Sequence, residues 1–205
     1  MDFILEDQID ENICDELVDW FVNSEYARAN YQPGNVTTGE YDDSRVFEVA
    51  KKSTDFTFSN KNVKECPAVS KYLKKLRKIR IKYLKKYIPY SVSSWTIIEP
   101  FNIQWYKPGE GFFKWHSERT KSGYPACNRM LVWMTYLNDI EVGGGTEFMY
   151  QGKVSPKKGK TLIWPSDPTH THKGEIAPYE DKYIITGWYS YREPNCPWEV
   201  PIQYR

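Results

Sequence analysis

From residue 95 onward the chain has a single grammar: short apolar runs broken by turn formers, with no long stretch of helical period. The runs are WTIIE, NIQWY, FFKWH, RMLVWMTYLN, TEFMYQ, KTLIWP and KYIITGWYSY, and PGEG, GGG, PKKG and DPT separate them. Valine, isoleucine, threonine and aromatic residues suit a pleated, half-buried surface, whereas Gly, Pro and Asp suit tight turns. Seven or eight successive strands without crossover helices predict a sandwich or jelly roll (a double-stranded β-helix).

The first 94 residues read differently. Residues 8 to 28 predict a helix with Ile9, Ile13, Leu17, Trp20 and Phe21 on one face. Residues 29 to 65 predict a long loop with short strands at VFEVA and DFTFS, a kind of segment that often holds substrates. A second helix is expected from Pro67 to Tyr87. Helices before strands make an α+β chain, and 205 residues suit one domain. Its parts would be helical support and loop over 1–94, a jelly-roll core over 95–192 and a tail over 193–205.

Net charge is +1, which gives no bulk field for drawing nucleic acid or a membrane surface. That total hides an asymmetry. The first twenty residues carry eight acidic groups and no basic one, while KYLKKLRKIRIKYLKK at 71–86 carries nine basic groups and no acidic one. The basic run is either a surface for an acidic partner or a solvated helix face. The helical recurrence of Tyr72, Leu76, Ile79 and Tyr83 favours the face. An acidic start and the lack of any long apolar run predict neither a secretory signal nor a membrane span. Cys14, Cys66, Cys127 and Cys196 lack metal or redox spacing, so reduced thiols in a cytoplasmic protein are expected.

The three histidines fall in two segments, FFKWHSE and PTHTHKGE. Residues two apart on a strand share a face, so His116 and Glu118 could grip one ion from neighbouring rungs. Two imidazoles and one carboxylate form the facial triad of non-haem Fe(II) oxygenases. The competing reading of WHSE is a surface histidine beside a solvated glutamate. In KYIITGWYSY, Lys182, Ile184, Thr186 and Trp188 share one face. A lysine there needs an anion, or else snorkels to water from the strand mouth. Gln104 and Tyr106 likewise share a face, and Tyr136 ends its run, so two tyrosines, a threonine and a lysine suit a small dicarboxylate.

These segments, in the order QWYKPGEGFFKWHSE, RMLVWMTYLND, GGGTEF, VSPKKGKTLIWP, THTHKGE and KYIITGWYSY, resemble the prolyl 4-hydroxylase-like family of 2-oxoglutarate- and Fe(II)-dependent oxygenases. The resemblance implies His116, Glu118 and His172 as iron ligands. His172 fits better than His170, because the family's basic residue follows its distal histidine by ten positions, as Lys182 follows His172. It implies Lys182 as partner of the remote 2-oxoglutarate carboxylate, with Tyr106, Tyr136 and Thr186 around it, and Arg129 and Trp188 beside the substrate groove. No catalytic residue beyond the metal site is implied. The family's usual His-x-Asp is His-x-Glu here, a longer but still hard anionic ligand, and its presence favours hydroxylation over halogenation.

The implied cofactors are Fe(II), 2-oxoglutarate and O2, with ascorbate as an accessory. The implied reaction hydroxylates a C–H bond, with a prolyl residue in a peptide or protein as substrate. A free amino acid or another small molecule is the alternative substrate. A cupin-like metal protein without 2-oxoglutarate and a non-catalytic jelly-roll binding module are the rival classes. Neither accounts for Lys182 together with the clustered metal-type residues.

Overall fold

The computed structural model describes residues 2–37, 44–46, 48–91, 95–119 and 123–191. Strand β1 (Leu5–Gln8) leads into helices α1 (Glu11–Asn23) and α2 (Glu25–Ala29). Short strands follow: β2 (Gln32–Pro33), β3 (Asn35–Thr37), β4 (Ser44–Val46), β5 (Lys51–Lys52) and β6 (Thr54–Phe58). Helix α3 (Pro67–Lys86) then precedes β7 (Trp95–Thr96), β8 (Phe101–Tyr106), β9 (Gly111–Phe112) and β10 (Arg129–Tyr136). The chain continues through β11 (Thr146–Phe148), β12 (Gly152–Val154), β13 (Lys160–Pro165), β14 (His172–Gly174) and β15 (Lys182–Tyr191). The predicted tail at 193–205 and Cys196 lie outside the described residues.

The strands form a jelly roll. Its major sheet runs β1-β13-β10-β15-β8-β6-β2, with β7 also paired to β15, and a minor sheet runs β12-β11-β14. All these pairings are antiparallel. Alternation along the central strands divides the interior. Leu131, Trp133, Ile163, Ile185 and Tyr189 face the helices and join Leu17, Phe21, Tyr72, Leu76 and Ile79 in the main core. Val132, Met134, Tyr136, Leu162, Trp164 and Ile184 face the other way, toward the minor sheet. At Gly187 a Cβ would lie 2.4 Å from Trp133, so glycine is what lets that ring pack against β15.

Several expectations are corrected. The helix over 8–28 is two helices, because Ser24 is extended and its hydroxyl accepts from Ala27 N to start α2. Residues up to Gln8 instead pair with β13. Of VFEVA, Val46 ends β4 and 48–50 form a turn, while Phe47 lies outside the described residues. DFTFS is strand β6. FFKWH is not a strand throughout. Its partner β5 has only two residues, so the ladder ends at Phe112.

Part of the charge asymmetry is met within the molecule. Lys71, Lys75 and Lys82 of α3 meet Glu16, Asp10 and Asp7 at 2.6–2.7 Å, tying the basic helix to the acidic N-terminal segment. These pairs lie at the surface, Asp7 being half-buried, and such pairs contribute about 0–1 kcal/mol each. Among the described residues, Cys14, Cys66 and Cys127 are free thiols, and burial pushes Cys14 up to about 12 and Cys66 up to about 11. No helix is long and apolar enough to cross a membrane among the described residues.

Candidate metal and cosubstrate site

A cavity of about 400 Å³ opens between the two sheets, within the usual size of a small-molecule site. At one end stand His116, Glu118 and His172, whose ligand atoms all lie within 4.8 Å of one another. The histidines arrive on a two-way backbone bridge, His116 N to His172 O and His172 N to His116 O, both 2.9 Å. That bridge stands in for the strand the sequence suggested. Glu118 sits in the loop beyond it, where Glu118 N and Arg119 N both donate to Ser166 O.

The donor set suits a divalent metal. Each histidine donates Nδ1–H to a backbone carbonyl, His116 to Lys114 O at 3.0 Å and His172 to His170 O at 2.9 Å. A ring fixed that way turns its Nε2 inward. The two Nε2 atoms lie 3.4 and 3.8 Å from Glu118 Oε1. Burial, followed by the neighbouring His116, pushes His172 down to about 3, so it is a neutral donor at ordinary pH. Burial disfavours the Glu118 carboxylate, yet the hydrogen bond and charge of His116, then Arg129 and His172, hold it well below the usual range. Phe112 stacks on His116 with ring centres 3.7 Å apart, and the Trp164 ring stands edge-on to His172. Two imidazoles and one carboxylate, with open cavity on the far side, are the ligand type of non-haem Fe(II).

His170, the other histidine of PTHTH, is turned away from this cluster. Its Nε2–H donates to Asp2 O at 2.7 Å and its Nδ1 bonds the Thr169 hydroxyl. It ties down the N-terminal segment.

The opposite end of the cavity belongs to Lys182. The residue is only 5 % exposed, so it does not snorkel to water. Its ammonium lies 5.5 and 5.7 Å from the ring centres of Tyr106 and Tyr136. No carboxylate of the described residues forms an ion pair with it, and burial pushes it down to about 8 although Glu175 pulls upward. Such a site is short of one anion.

The hydroxyls nearby are partly committed. Tyr106 donates to Gln104 Oε1 and the Tyr136 and Thr146 hydroxyls are hydrogen-bonded, both at 2.6 Å, and Thr186 donates to the carbonyl of Trp133 at 3.0 Å. The Thr186 hydroxyl is thus engaged by a backbone carbonyl where its side chain lines the cavity. Cross-strand register sets the rows: Lys182 beside Tyr106, Ile184 beside Gln104 and Tyr136, Thr186 beside Asn102 and Met134.

Arg129 and Trp188 border the cavity beside Glu118. Sequence reasoning missed Asn102, Met134, Thr146 and Trp164 in the lining. Asn102 and Met134 were legible by alternation from Gln104 and Tyr136. Lys51 was not, since its burial against Asp55 at 2.7 Å depends on the edge pairing of β5 with β9. Asn102 Oδ1 is buried without a hydrogen-bond partner, a further polar atom of the wall facing an incomplete site.

Residues 101–190 match the family model described as the 2OG-Fe(II) oxygenase superfamily. Three solved structures are similar over most of their length. A Pseudomonas putida prolyl-4-hydroxylase is 14 % identical with a TM-score of 0.69, covering 94 % of this chain and 95 % of that one. The viral collagen prolyl hydroxylase of Paramecium bursaria Chlorella virus-1, in its 2OG complex, is 17 % identical with a TM-score of 0.64, covering 93 % and 97 %. A Trichoplax adhaerens prolyl hydroxylase in complex with a hypoxia inducible factor peptide fragment is 16 % identical with a TM-score of 0.68, covering 93 % and 84 %. A comparison with curated protein sequences finds no match.

Proposed function

We propose that this chain, whose residues 101–190 match the 2OG-Fe(II) oxygenase superfamily, is a 2-oxoglutarate-dependent dioxygenase that hydroxylates a prolyl residue of a peptide or protein. In this reading His116, Glu118 and His172 hold Fe(II), and Lys182 holds the remote carboxylate of 2-oxoglutarate between Tyr106 and Tyr136. Iron, once bound, supplies oxygen activation: 2-oxoglutarate and O2 yield succinate and CO2, and the other oxygen atom enters the substrate C–H bond.

The observation that carries the reading is the pairing of two incomplete sites in one cavity. A preoriented His/Glu/His cluster lies at one end, and a buried ammonium without an anion lies at the other. A keto acid that binds a metal at one end and presents a carboxylate at the other satisfies both. That carboxylate would receive a charge-assisted hydrogen bond from Lys182 in a largely dry setting. The metal end stays shielded by Phe112 and Trp164.

A peptidyl substrate is supported by the printed names of the similar structures, one of which carries a peptide fragment. Charge in the wall supports it as well. The other two cations of the lining are already paired, Lys51 with Asp55 and Arg129 with Glu99, both at 2.7 Å. A free amino acid would bring its own carboxylate and find no unpaired cation among the described lining residues, whereas a peptidyl side chain enters neutral. Reduced, deeply buried Cys14 and Cys66 suit the cytoplasm as its compartment.

The test has two steps. Adding 2-oxoglutarate to the anaerobic Fe(II) protein is expected to produce the visible charge-transfer band of the chelated keto acid. Incubation with proline-containing peptides in air is then expected to give succinate and peptides heavier by one oxygen. No band on titration would remove 2-oxoglutarate from the site. A band with succinate but no oxidised peptide, and turnover of a free amino acid instead, would overturn the peptidyl substrate alone.

A further inference from the structure

Glutamate at position 118 reaches one methylene farther than aspartate, and the structure shows what the extra reach touches. Oε1 faces the two imidazoles. Oε2 accepts Trp188 Nε1–H from β15 at 3.0 Å and lies 3.5 Å from Arg129 Nη1 on β10. The same Nη1 also reaches the Glu118 backbone carbonyl at 3.3 Å. The two oxygens of this carboxylate thus have separate surroundings.

The donors are themselves fixed. Arg129 forks onto Glu99, with Nε at 3.0 Å and Nη2 at 2.7 Å from Oε2. Glu99 is 4 % exposed and also accepts from Ser190 Oγ at 2.9 Å. The guanidinium lies 3.6 Å from the centre of the Trp188 ring, stacked on it. Glu99, Arg129 and Trp188 therefore form one connected unit that meets one carboxylate oxygen of Glu118 and its backbone carbonyl.

Resting on the reading of Glu118 as an iron ligand, we propose that Glu99, Arg129 and Trp188 brace Glu118 so that it presents one oxygen to the metal. They are positioning residues for metal binding, beyond any part Arg129 and Trp188 take in the substrate groove. A glutamate has an extra side-chain torsion and two equivalent oxygens, so an unbraced one could chelate or swing away. Engaging Oε2 with an indole N–H and a guanidinium makes either move cost charge-assisted hydrogen bonds. Outer hydrogen bonds of this kind typically set metal affinity by roughly 10- to 100-fold.

Trp188→Phe tests the brace, since it keeps an aromatic ring under the guanidinium and removes the indole N–H together with part of the ring. Fe(II) affinity would be measured anaerobically by calorimetry on the full chain, beside the melting temperature of the metal-free protein and the KM for a peptide substrate. The expected result is Fe(II) affinity roughly 10- to 100-fold weaker, with the metal-free melting temperature nearly unchanged. Glu99→Gln, which loosens Arg129, is expected to weaken Fe(II) binding in the same direction and supplies the answer if Trp188→Phe does not fold. Wild-type Fe(II) affinity in the folded variants, with only the peptide KM raised, would overturn the brace and leave Arg129 and Trp188 as groove residues. Glu118→Ala separates the two levels. Undiminished Fe(II) affinity there would sink the ligand reading itself. Loss there without loss in Trp188→Phe would sink the brace alone.

Discussion

Lys182 combines a stability cost with a binding role, and the two can be measured separately. With 2-oxoglutarate absent, its charge is buried without an anion. Lys182→Met keeps the length and removes the charge, so it should stabilise the ligand-free protein near pH 7 by up to about 3 kcal/mol. The sign with pH follows from proton binding. The folded lysine releases its proton from about pH 8, whereas the unfolded one holds it to the ordinary lysine range. Across that window the unfolded chain binds more protons, so wild-type stability rises with pH and the advantage of Lys182→Met shrinks. Urea unfolding of both proteins at pH 7 and pH 9.5 (roughly one unit below the ordinary lysine value) checks this, and equal stabilities at both would contradict a buried unpaired ammonium. The same substitution should weaken 2-oxoglutarate roughly 30-fold or more while Fe(II) still binds. His170 gives a contrasting expectation: His170→Ala should leave Fe(II) affinity unchanged and lower the melting temperature, because its ring holds Asp2 O. His172→Ala should abolish stoichiometric Fe(II) binding. At this scale the sequence was legible where chemistry is rare. Three histidines in two segments and one lysine on an apolar strand face drew attention by themselves. The roles of Arg129 and Trp188 toward Glu118 were not legible, because they depend on which oxygen of one carboxylate each donor meets across two strands.

Among the elements, β15 has the most to satisfy. One face meets the helix-side core through Ile185 and Tyr189, and the other lines the cavity through Lys182, Ile184, Thr186 and Trp188. Gly187 falls on the helix side, where an added Cβ would lie 2.4 Å from Trp133 and 2.7 Å from Phe101 Cβ. Neither neighbour can yield easily, as Trp133 and Phe101 are fully buried. Gly187→Ala should therefore destabilise by about 1–3 kcal/mol, the range for overpacking a filled core. Thermal unfolding checks it, and an unchanged melting temperature would mean that the Trp133 ring has room to shift. Apolar runs bounded by turn formers made β8, β10, β13 and β15 readable, because each has six residues or more. β1, β12 and β14 have only three or four residues, and β5 and β9 only two, so pairing partners define them rather than pattern. The break at Ser24 was visible in principle, because Ser24 is a capping residue and the apolar face of the first helix ends at Phe21.

For the molecule as a whole, the major sheet separates a core that stabilises from a cavity that binds. The helix-side cluster includes most of the large fully buried side chains, whereas the cavity-side cluster surrounds polar and charged groups awaiting ligands. The fold class followed from helices first and strands afterwards, but the division of labour between the two faces required knowing which face the helices cover. Trp133 and Met134 test that division, since they are neighbours on β10 and point to opposite sides. Trp133 is fully buried and packs against Phe101 and Tyr72 at ring-centre distances of 5.4 and 5.9 Å. Trp133→Ala opens a void inside a filled core and should cost about 3–5 kcal/mol. Met134 lines a cavity that already exists, so truncating it enlarges that space instead of creating a new void. Met134→Ala should cost at most about 2 kcal/mol, the low end for such truncations. Its effect should appear instead in ligand binding, because Met134 pairs across the sheet with Thr186 between the two ends of the cavity. Urea unfolding of the ligand-free variants, beside calorimetric titration of 2-oxoglutarate into the Fe(II) forms, reads both quantities. Equal losses of stability from the two truncations would show that the cavity side carries as much of the fold as the helix side.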